Sequence, residues 1–177
     1  MLNRPFEDTI RENANREAAV LVGVIDSPNE PRILLTQRTQ TMRTHSGQIA
    51  FPGGRADEDD RSVEHTALRE MQEETGIGAD HIEIVGRLPI YLSGSGYRIH
   101  PILGVISGDY TIVPNADEVA LVFDVPLSFL MDGANHKMAS RDWQGAPRYF
   151  YEIPYKEHYI WGVTAGILRV MYERLYR

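Results

Sequence analysis

The 177-residue sequence predicts an α/β fold in which a mixed β-sheet is sandwiched between α-helices. Three observations support this class. Apolar runs of strand length recur along the chain, neighbouring runs are often joined by turns, and two longer segments carry apolar residues at helical spacing. The pattern does not alternate regularly enough for a doubly wound nucleotide-binding sheet. Neither a GxGxxG nor a GxxxxGK[ST] phosphate loop is present.

The first expected elements are a short helix that ends at about Arg16 and a β-hairpin. Residues 18–26, AAVLVGVID, form a continuous apolar run that is typical of a buried strand. The turn at residues 27–31 contains two prolines and leads to residues 32–38, RILLTQR, the expected hairpin partner. Residues 39–54 contain few strand-length apolar runs, and loops of that size are usually functional.

Residues 62–75, SVEHTALREMQEET, carry the strongest helical pattern in the chain. Ser62 is placed to cap the N-terminus of this helix, and Gly76 is placed to end it. Strands and helices then follow to the end of the sequence. We expect strands near residues 81–91, 99–106, 119–125 and 148–154, a short helix starting at Pro126, and a closing helix over residues 161–176.

Composition and charge exclude several classes of function. Apolar residues make up 42% of the chain, enough for one core in a single domain over residues 1–177. The net charge of −7 argues against a nucleic-acid-binding protein, which needs a basic face. There is no cysteine, so disulfide scaffolds and thiolate zinc sites are excluded. Because no apolar run has signal-peptide or membrane-spanning length, we expect a cytoplasmic protein without membrane contact.

Three glutamates cluster on one side of the strongest helix. On a helical wheel of about 100° per residue that starts at Val63, the apolar stripe spans about 140°. On that wheel Glu74 lies at about 20°, Glu70 at about −20° and Glu73 at about −80°. The three carboxylates therefore border the core-facing stripe, and they partly enter it.

This placement is unfavourable for the helix alone. Glu70 and Glu74 are like charges four residues apart, which costs roughly 0.2–0.5 kcal/mol. Glu73 and Glu74 also lie in the last turn, where the helix dipole disfavours an anion by about 0.3–1 kcal/mol. A divalent cation would remove both penalties, and Mg²⁺ and Mn²⁺ prefer carboxylate oxygens. The alternative interpretation is a solvated acidic face, which is the norm for an arbitrary pair of glutamates.

The segment around this helix resembles the Nudix box, a loop–helix–loop signature written G-x5-E-x7-R-E-U-x-E-E-x-G-U, in which U is a bulky aliphatic residue. The chain reads GGRADEDDRSVEHTALREMQEETGIG over residues 53–78, and the box covers about residues 54–77. One residue is inserted between Gly54 and Arg69, and the early acid is Asp60 rather than Glu. The matching residues are Gly54, Arg69, Glu70, Met71, Glu73, Glu74, Gly76 and Ile77.

The longer box and an upstream pattern resemble the coenzyme A diphosphatase subfamily of Nudix hydrolases. That subfamily carries a signature similar to L-L-T-x-R-S-x3-R-x3-G-x3-F-P-G-G. The chain departs from it at Thr39, where Ser or Ala is usual, and residues 117–119 and 161–165 also look like the subfamily. The upstream matches are Leu34, Leu35, Thr36, Arg38, Arg43, Gly47, Phe51, Pro52, Gly53 and Gly54.

The resemblance implies a Nudix fold and a hydrolase that splits coenzyme A or a derivative into 3′,5′-ADP and 4′-phosphopantetheine or its acyl form. It implies Mg²⁺ or Mn²⁺ as the cofactor. The implied metal ligands are Glu70, Glu73, Glu74 and the Gly53 carbonyl. Arg69 would orient the glutamates from outside the metal site.

The group that takes the proton from water and the groups that bind substrate are assigned less directly. Glu73 and Glu118 are the candidates for the base, and for Glu118 the alternative is a turn or strand-start residue. Arg38 and Arg43 are candidates for phosphate binding, because arginine offers permanently charged, bidentate donors. The alternative for either arginine is pairing with a nearby acid. Gln48 lies in the same loop as Arg43 and is a further candidate to line the pocket.

Other assignments remain open in the sequence. His158 shows no metal-ligand spacing, and Tyr159 and Trp161 are expected to be core or interface aromatics rather than base-stacking platforms. The rival substrates are ADP-ribose, NADH and dinucleoside polyphosphates, which need the same metal chemistry. The rival of another class is a non-catalytic, ligand-sensing Nudix module, against which the intact box acids argue. The expected partner is a small nucleotide substrate, and the resemblance leaves room for a homodimer.

Overall fold

The computed structural model describes residues 14–40, 46–143 and 145–177. Within these ranges the chain forms a large mixed sheet, a three-stranded sheet and three α-helices, which confirms the predicted fold class. The large sheet contains β1 (Arg16–Ile25), β2 (Arg32–Arg38), β3 (Ile49–Ala50), β4 (Gly53–Arg55), β5 (Ile82–Arg87), β6 (Tyr91–Leu92), β7 (Tyr97–Ile106) and β8 (Val119–Pro126). The small sheet contains β9 (Lys137–Trp143), β10 (Ala146–Tyr155) and β11 (His158–Trp161), and the helices are α1 (Val63–Thr75), α2 (Leu127–Leu130) and α3 (Val163–Leu175).

The large sheet is organised around a central parallel pair. Strand β1 runs parallel to β7 along its whole length, from the pair Arg16–Tyr97 to the pair Ile25–Ile106. The predicted hairpin is present, since β2 returns antiparallel to β1. Strand β2 then pairs antiparallel with β8 over most of its length, and β5 pairs antiparallel with β7. The resulting path is β3-β2-β1-β7-β5, with β4, β6 and β8 attached to β1, β7 and β2 respectively.

The two faces of the large sheet pack against different layers. Side chains alternate along a strand, so successive residues of β1 and β2 face opposite sides. One face packs against α1, where Leu21 and Leu34 meet Met71. The other face packs against α3 and the small sheet, where Leu35 joins a cluster that contains Ile167. This alternation decides which side chains of β2 point toward the glutamates of α1.

The helix boundaries follow the predicted capping residues. Ser62 accepts a hydrogen bond from the His65 backbone N–H at 3.2 Å, and Gly76 ends α1 in a left-handed conformation with φ of 79°. Glycine adopts that conformation without the steric cost that other residues meet. None of the helices in the described ranges combines the length and the apolar composition needed to cross a bilayer.

The structure departs from the sequence-based elements at several places. The helix expected before Arg16 falls on residues outside the described ranges, and Arg16 itself already belongs to β1. Residues 39–54, expected as a loop, contain the short strands β3 and β4, which form through hydrogen bonds to β2 and β1 rather than through an apolar run. Strands β9 and β11 were not expected. Strand β9 has no apolar run and is held by its pairing with β10.

We predict that Gly53→Ala destabilises the protein by about 1–3 kcal/mol, because the added methyl group would overlap the main chain of β1. A Cβ at Gly53 would stand 2.5 Å from the Ala19 carbonyl oxygen and 2.7 Å from Val20 Cα. Urea unfolding would measure the change in the free energy of unfolding. Gly86→Ala is the matched control, since the nearest atom to its new Cβ is a Leu103 methyl group at 4.0 Å. Equal stability of the two variants would show that β4 can move away from β1 freely.

Candidate active site

The three glutamates of α1 are buried in the order that the helical wheel predicts. The side chain of Glu74 is 3% exposed, that of Glu70 is 14% exposed and that of Glu73 is 55% exposed. The order follows because Glu74 lies inside the apolar stripe of the helix and Glu73 lies furthest from it. Two of the three carboxylates are therefore largely withdrawn from solvent.

Glu74 is held by two side chains of β2. The Thr36 hydroxyl donates to Glu74 Oε2 at 3.2 Å, and Arg38 Nη1 lies 3.8 Å from Glu74 Oε1. Thr36 and Arg38 are two residues apart, so they share the face of β2 that points to α1. Burial raises the pKa of Glu74 to about 7, with Arg38 and Thr36 acting in the opposite direction and nearby Glu70 and Glu118 adding to the rise.

Glu70 lies directly against the glycine turn at the start of the box. A Cβ at Gly54 would stand 2.3 Å from Glu70 Oε1, so only glycine leaves room for the carboxylate in this position. Burial raises the pKa of Glu70, Arg69 lowers it, and the charges of Glu73 and Glu118 raise it further. The glycine therefore places a carboxylate where its ionised form is unfavourable without a cation.

Arg69 joins the box loop to two of the glutamates. Its Nη1 donates to Glu70 Oε1 at 2.9 Å and to Glu73 Oε2 at 3.0 Å. Its Nη2 donates to the Arg55 carbonyl at 3.1 Å and to Asp60 Oδ2 at 2.9 Å, while Nε donates to Asp60 Oδ1 at 3.1 Å. The pKa of Arg69 is raised, first by its hydrogen bond to Asp60. The guanidinium group thus contacts both carboxylates, and its role in orienting them for a metal ion remains a prediction.

No role for Asp60 is predicted from the sequence. Its side chain is 4% exposed and accepts from Arg69, from the Thr66 hydroxyl at 2.9 Å and from the Asp57 backbone N–H at 3.0 Å. His65 Nδ1 lies 2.9 Å from Asp60 Oδ1. The hydrogen bond to Arg69 lowers the pKa of Asp60 more than any other contact. The signal in the sequence was an acid at the sixth position after Gly54, where the box has Glu.

The loop between β7 and β8 brings Glu118 to the same site. The Val113 N–H donates to the Thr75 carbonyl at 2.8 Å and the Asn115 N–H donates to the Glu74 carbonyl at 3.1 Å. These bonds satisfy carbonyl groups at the C-terminal end of α1. The Glu118 carbonyl accepts from the Thr39 N–H at 2.9 Å. The Glu118 carboxylate is close enough to raise the pKa of both Glu70 and Glu74.

The three predicted substrate-binding residues have different outcomes. Arg38 pairs with Glu74, and its buried Nε has no hydrogen-bond partner in the described part of the chain. Gln48 accepts through its main-chain carbonyl from the Arg38 N–H at 3.0 Å, and it lines a cavity of about 460 Å³. Arg43 lies outside the described residues. Substrate binding by these residues remains a prediction.

The donor groups present fit a hard divalent cation in their chemistry. Across the described ranges, no three Asp, Glu, His or Cys side chains are grouped closely enough to hold an ion as they stand. In this arrangement Arg69 contacts Glu70 and Glu73, and Arg38 contacts Glu74. Buried carboxylates with raised pKa values, one of them seated against a glycine, are nevertheless oxygen ligands that a Mg²⁺ or Mn²⁺ ion would stabilise. Ligation by the Gly53 carbonyl remains a prediction.

Comparison with known proteins gives the family. Residues 14–139 match the NUDIX domain family. This chain belongs to the Nudix hydrolase family. A protein described as an uncharacterized Nudix hydrolase, NudL, from Yersinia pestis (strain Pestoides F) is 39% identical over 161 residues, covering 91% of this chain and 80% of that protein. A NudL protein with the same description from Yersinia pseudotuberculosis (serotype O:1b, strain IP 31758) matches to the same extent. The predicted family and enzyme class are confirmed.

Solved structures support the Nudix fold of this hydrolase. The NUDIX domain of Shewanella oneidensis NrtR, solved with ADP ribose, superposes with a TM-score of 0.57 at 18% identity, covering 92% of this chain and 89% of that one. The Nudix hydrolase RenU of M. smegmatis superposes with a TM-score of 0.53 at 22% identity, covering 63% of this chain and 70% of that one. At these identities the similarity shows the shared fold.

We predict that the metal-free Nudix hydrolase loses stability as pH rises from about 4.5 to 7, and that Glu74→Gln removes the part of this dependence that Glu74 contributes. The pKa of Glu74 rises from 4.5 to about 7 on folding, so the folded state keeps a proton that the unfolded state releases above pH 4.5. Stability attributable to this group therefore declines from about pH 4.5 to 7 and levels off above it, by about 3 kcal/mol in total. Urea unfolding in EDTA at several pH values would measure it.

The comparison with Glu74→Gln isolates the titration. Arg38 loses its partner in this variant, but arginine stays protonated, so that loss shifts the stability by a constant. The stability of Glu74→Gln minus that of the unsubstituted protein should increase between pH 5 and 7. Parallel pH profiles of the two proteins would mean that Glu74 ionises normally despite its burial.

We predict that Gly54→Ala weakens Mn²⁺ binding by about tenfold, because the new methyl group displaces the Glu70 carboxylate. The flexible end of the Glu70 side chain can move, so the fold should be retained. Isothermal titration with Mn²⁺ measures the affinity without any substrate. Gly86→Ala is again the control, since its new Cβ lies far from α1. Unchanged affinity in a folded Gly54→Ala protein would remove Glu70 from the metal site.

Proposed function

We propose that this Nudix hydrolase, acting as a single domain, uses Mg²⁺ or Mn²⁺ to hydrolyse the diphosphate of coenzyme A or a derivative. The products would be 3′,5′-ADP and 4′-phosphopantetheine or its acyl form. The observation that supports the proposal is a contact between the upstream sequence pattern and the Nudix box. Thr36 and Arg38 of the upstream pattern contact Glu74 of the Nudix box across 38 and 36 residues of sequence.

Several matched residues of the upstream signature have a structural reason within the described part of the chain. Leu34, Leu35 and Phe51 are fully buried and pack the sheet. Gly53 and Gly54 permit close approach to β1 and to Glu70. The signature therefore specifies the packing around the site as well as the polar groups within it.

Thr39, which departs from the subfamily pattern, still makes polar contacts. The Thr39 hydroxyl donates to the Asp117 carbonyl at 3.2 Å, and the Thr39 N–H donates to the Glu118 carbonyl at 2.9 Å. A serine at this position could make the same hydroxyl bond. Thr39, the residue that departs from the upstream pattern, therefore bonds directly to residues 117–119, the downstream stretch that also resembles the subfamily.

Glu70 and Glu74 would hold the metal, with Glu73 and the Gly53 carbonyl as further ligands. When bound, a divalent cation supplies charge neutralisation of the diphosphate and acidification of the attacking water. Arg69, anchored on Asp60, keeps Glu70 and Glu73 in place. The matching of hard oxygen ligands to a hard ion supports this part of the proposal.

Two residues, Glu118 and Glu73, are the proposed acceptors of the proton of water. Glu118 has its main chain fixed on both sides, by its N–H to the Asn115 carbonyl and its carbonyl to the Thr39 N–H. Its charge acts on both buried glutamates. Glu73 is half-exposed, and its carboxylate accepts a hydrogen bond from Arg69 Nη1 at 3.0 Å. Fixed backbone and proximity support Glu118 as the base, and Glu73 stays the second candidate.

Arg38 is the described cation best placed to bind a phosphate group. Its contact with Glu74 is long, at 3.8 Å, and its Nε is buried without a partner in the described ranges. An arginine with unused donors beside a metal site can bind phosphate oxygens in a bidentate manner. Arg43 is proposed for the same role from its position in the signature.

We predict that coenzyme A is hydrolysed with a higher kcat/KM than ADP-ribose, NADH or dATP in the presence of Mg²⁺ or Mn²⁺. Product analysis should identify 3′,5′-ADP and 4′-phosphopantetheine. We also propose that Arg38 or Arg43 contacts the 3′-phosphate, which predicts a lower kcat/KM for dephospho-coenzyme A than for coenzyme A. A panel assay by chromatography measures all five substrates.

One control variant and two refuting outcomes make the panel decisive. Glu74→Gln should fold but slow turnover by a factor of about 10³ or more, which excludes a contaminating hydrolase. Preference for ADP-ribose or NADH over coenzyme A would refute the proposed substrate while leaving the family intact. Equal cleavage of dephospho-coenzyme A would refute the contact with the 3′-phosphate.

A further inference from the structure

A cavity of about 460 Å³ lies on the side of β2 that faces away from Glu74. Gln37 lines this cavity, whereas its neighbours Thr36 and Arg38 contact Glu74. The alternation of side chains along β2 explains this division, since Leu35 also faces the α3 side. The cavity and the carboxylates are thus separated by the thickness of a single strand.

The wall of the cavity is tied to the active-site strand. Residues 46–49 form one side, and the Gln48 carbonyl accepts from the Arg38 N–H at 3.0 Å. The Ile49 carbonyl accepts from the Thr164 hydroxyl at 2.9 Å, which anchors the same segment to α3. Arg38, at the end of β2, is therefore bonded directly to the segment that forms this wall.

The chemistry of the lining suits an uncharged group. None of the described lining residues is a lysine or arginine, and the acid present, Glu157, is mostly solvent-exposed. Gln37 Nε2 donates to the Gly47 carbonyl at 3.3 Å, which leaves the oxygen of that amide as an acceptor. Leu121 and Tyr159 add apolar surface that is 41% and 42% exposed. Such a lining favours amide groups and methylene chains over phosphate.

The aromatic rings of the cavity are already in contact with other side chains. Phe123 stacks on His158 with ring centroids 3.9 Å apart. The guanidinium of Arg141 lies 5.1 Å from the Trp161 ring centre, and Phe150 contacts the same ring edge-on. Each of these contacts occupies a face or an edge of a ring, whereas an amide-bearing chain needs no ring face to bind.

We propose that this cavity is a subsite for the uncharged, amide-bearing arm of the substrate, which in coenzyme A is the pantetheine chain. The identity of the arm rests on the proposed function. The charged half of the substrate, with its 3′-phosphate, would remain on the Arg38 side of β2. This division gives a structural reason for the resemblance at residues 161–165, because Trp161 lines the cavity and Thr164 anchors its wall.

The test uses the fluorescence of Trp161. The chain contains two tryptophans, so Trp143→Phe leaves Trp161 as the single reporter. Pantetheine and 3′,5′-ADP are titrated separately in EDTA, where no hydrolysis occurs. Pantetheine should change the emission in a saturable way, and 3′,5′-ADP should not. Leu121→Tyr, which fills the cavity, should weaken pantetheine binding by about tenfold, while Val85→Tyr on exposed β5 should not change it.

Each outcome decides the proposal. A saturable response to 3′,5′-ADP alone, a response to neither compound, or equal pantetheine affinity in the Leu121→Tyr and Val85→Tyr proteins would overturn it. If Trp143→Phe does not fold, isothermal titration of the unsubstituted protein with pantetheine replaces fluorescence, with the same two tyrosine variants. Hydrolysis of coenzyme A is measured separately, so its absence would refute the proposed function while the pantetheine titration still tests the cavity.

Discussion

The burial of the Glu74 carboxylate on the core-facing side of α1 is the constraint on which the site depends. A carboxylate withdrawn from water is unfavourable when ionised, and its neighbours Glu70 and Glu118 add repulsion. The chain offsets part of this cost with one hydroxyl and one guanidinium from β2, both of which reach Glu74 because they share a strand face. A bound divalent cation would offset the part of this cost that remains.

Two arginines form ion pairs with the three glutamates of α1. Arg38 faces Glu74 from the sheet, and Arg69 holds Glu70 and Glu73 from within the helix. Arg69 is in turn fixed by Asp60, which lies on the loop that the inserted residue lengthens. Asp60 therefore reaches Arg69 in this chain although aspartate is one methylene shorter than the glutamate of the box.

Sequence patterns within one segment predicted the features that depend on interactions within that segment. The wheel of α1 gave the burial order of its glutamates, because that order follows from the apolar stripe. The contact of Arg38 with Glu74 spans 36 residues, and β4 exists through its pairing with β1, so neither could be found from a local period. For Glu118 the signal was a resemblance alone, since the loop that positions it shows no regular pattern.

Side chains alternate between the two faces of β2, so the burial of Glu74 also affects the face of this strand that points away from the proposed metal site. Because Thr36 and Arg38 face Glu74, Gln37 faces the opposite side, where the lining residues in the described ranges include no lysine or arginine. A single strand end thus separates a charged environment suited to phosphates from a neutral one. A diphosphate ester with one charged and one uncharged half matches this separation, whereas a ligand charged at both ends would place one end among groups that cannot neutralise it.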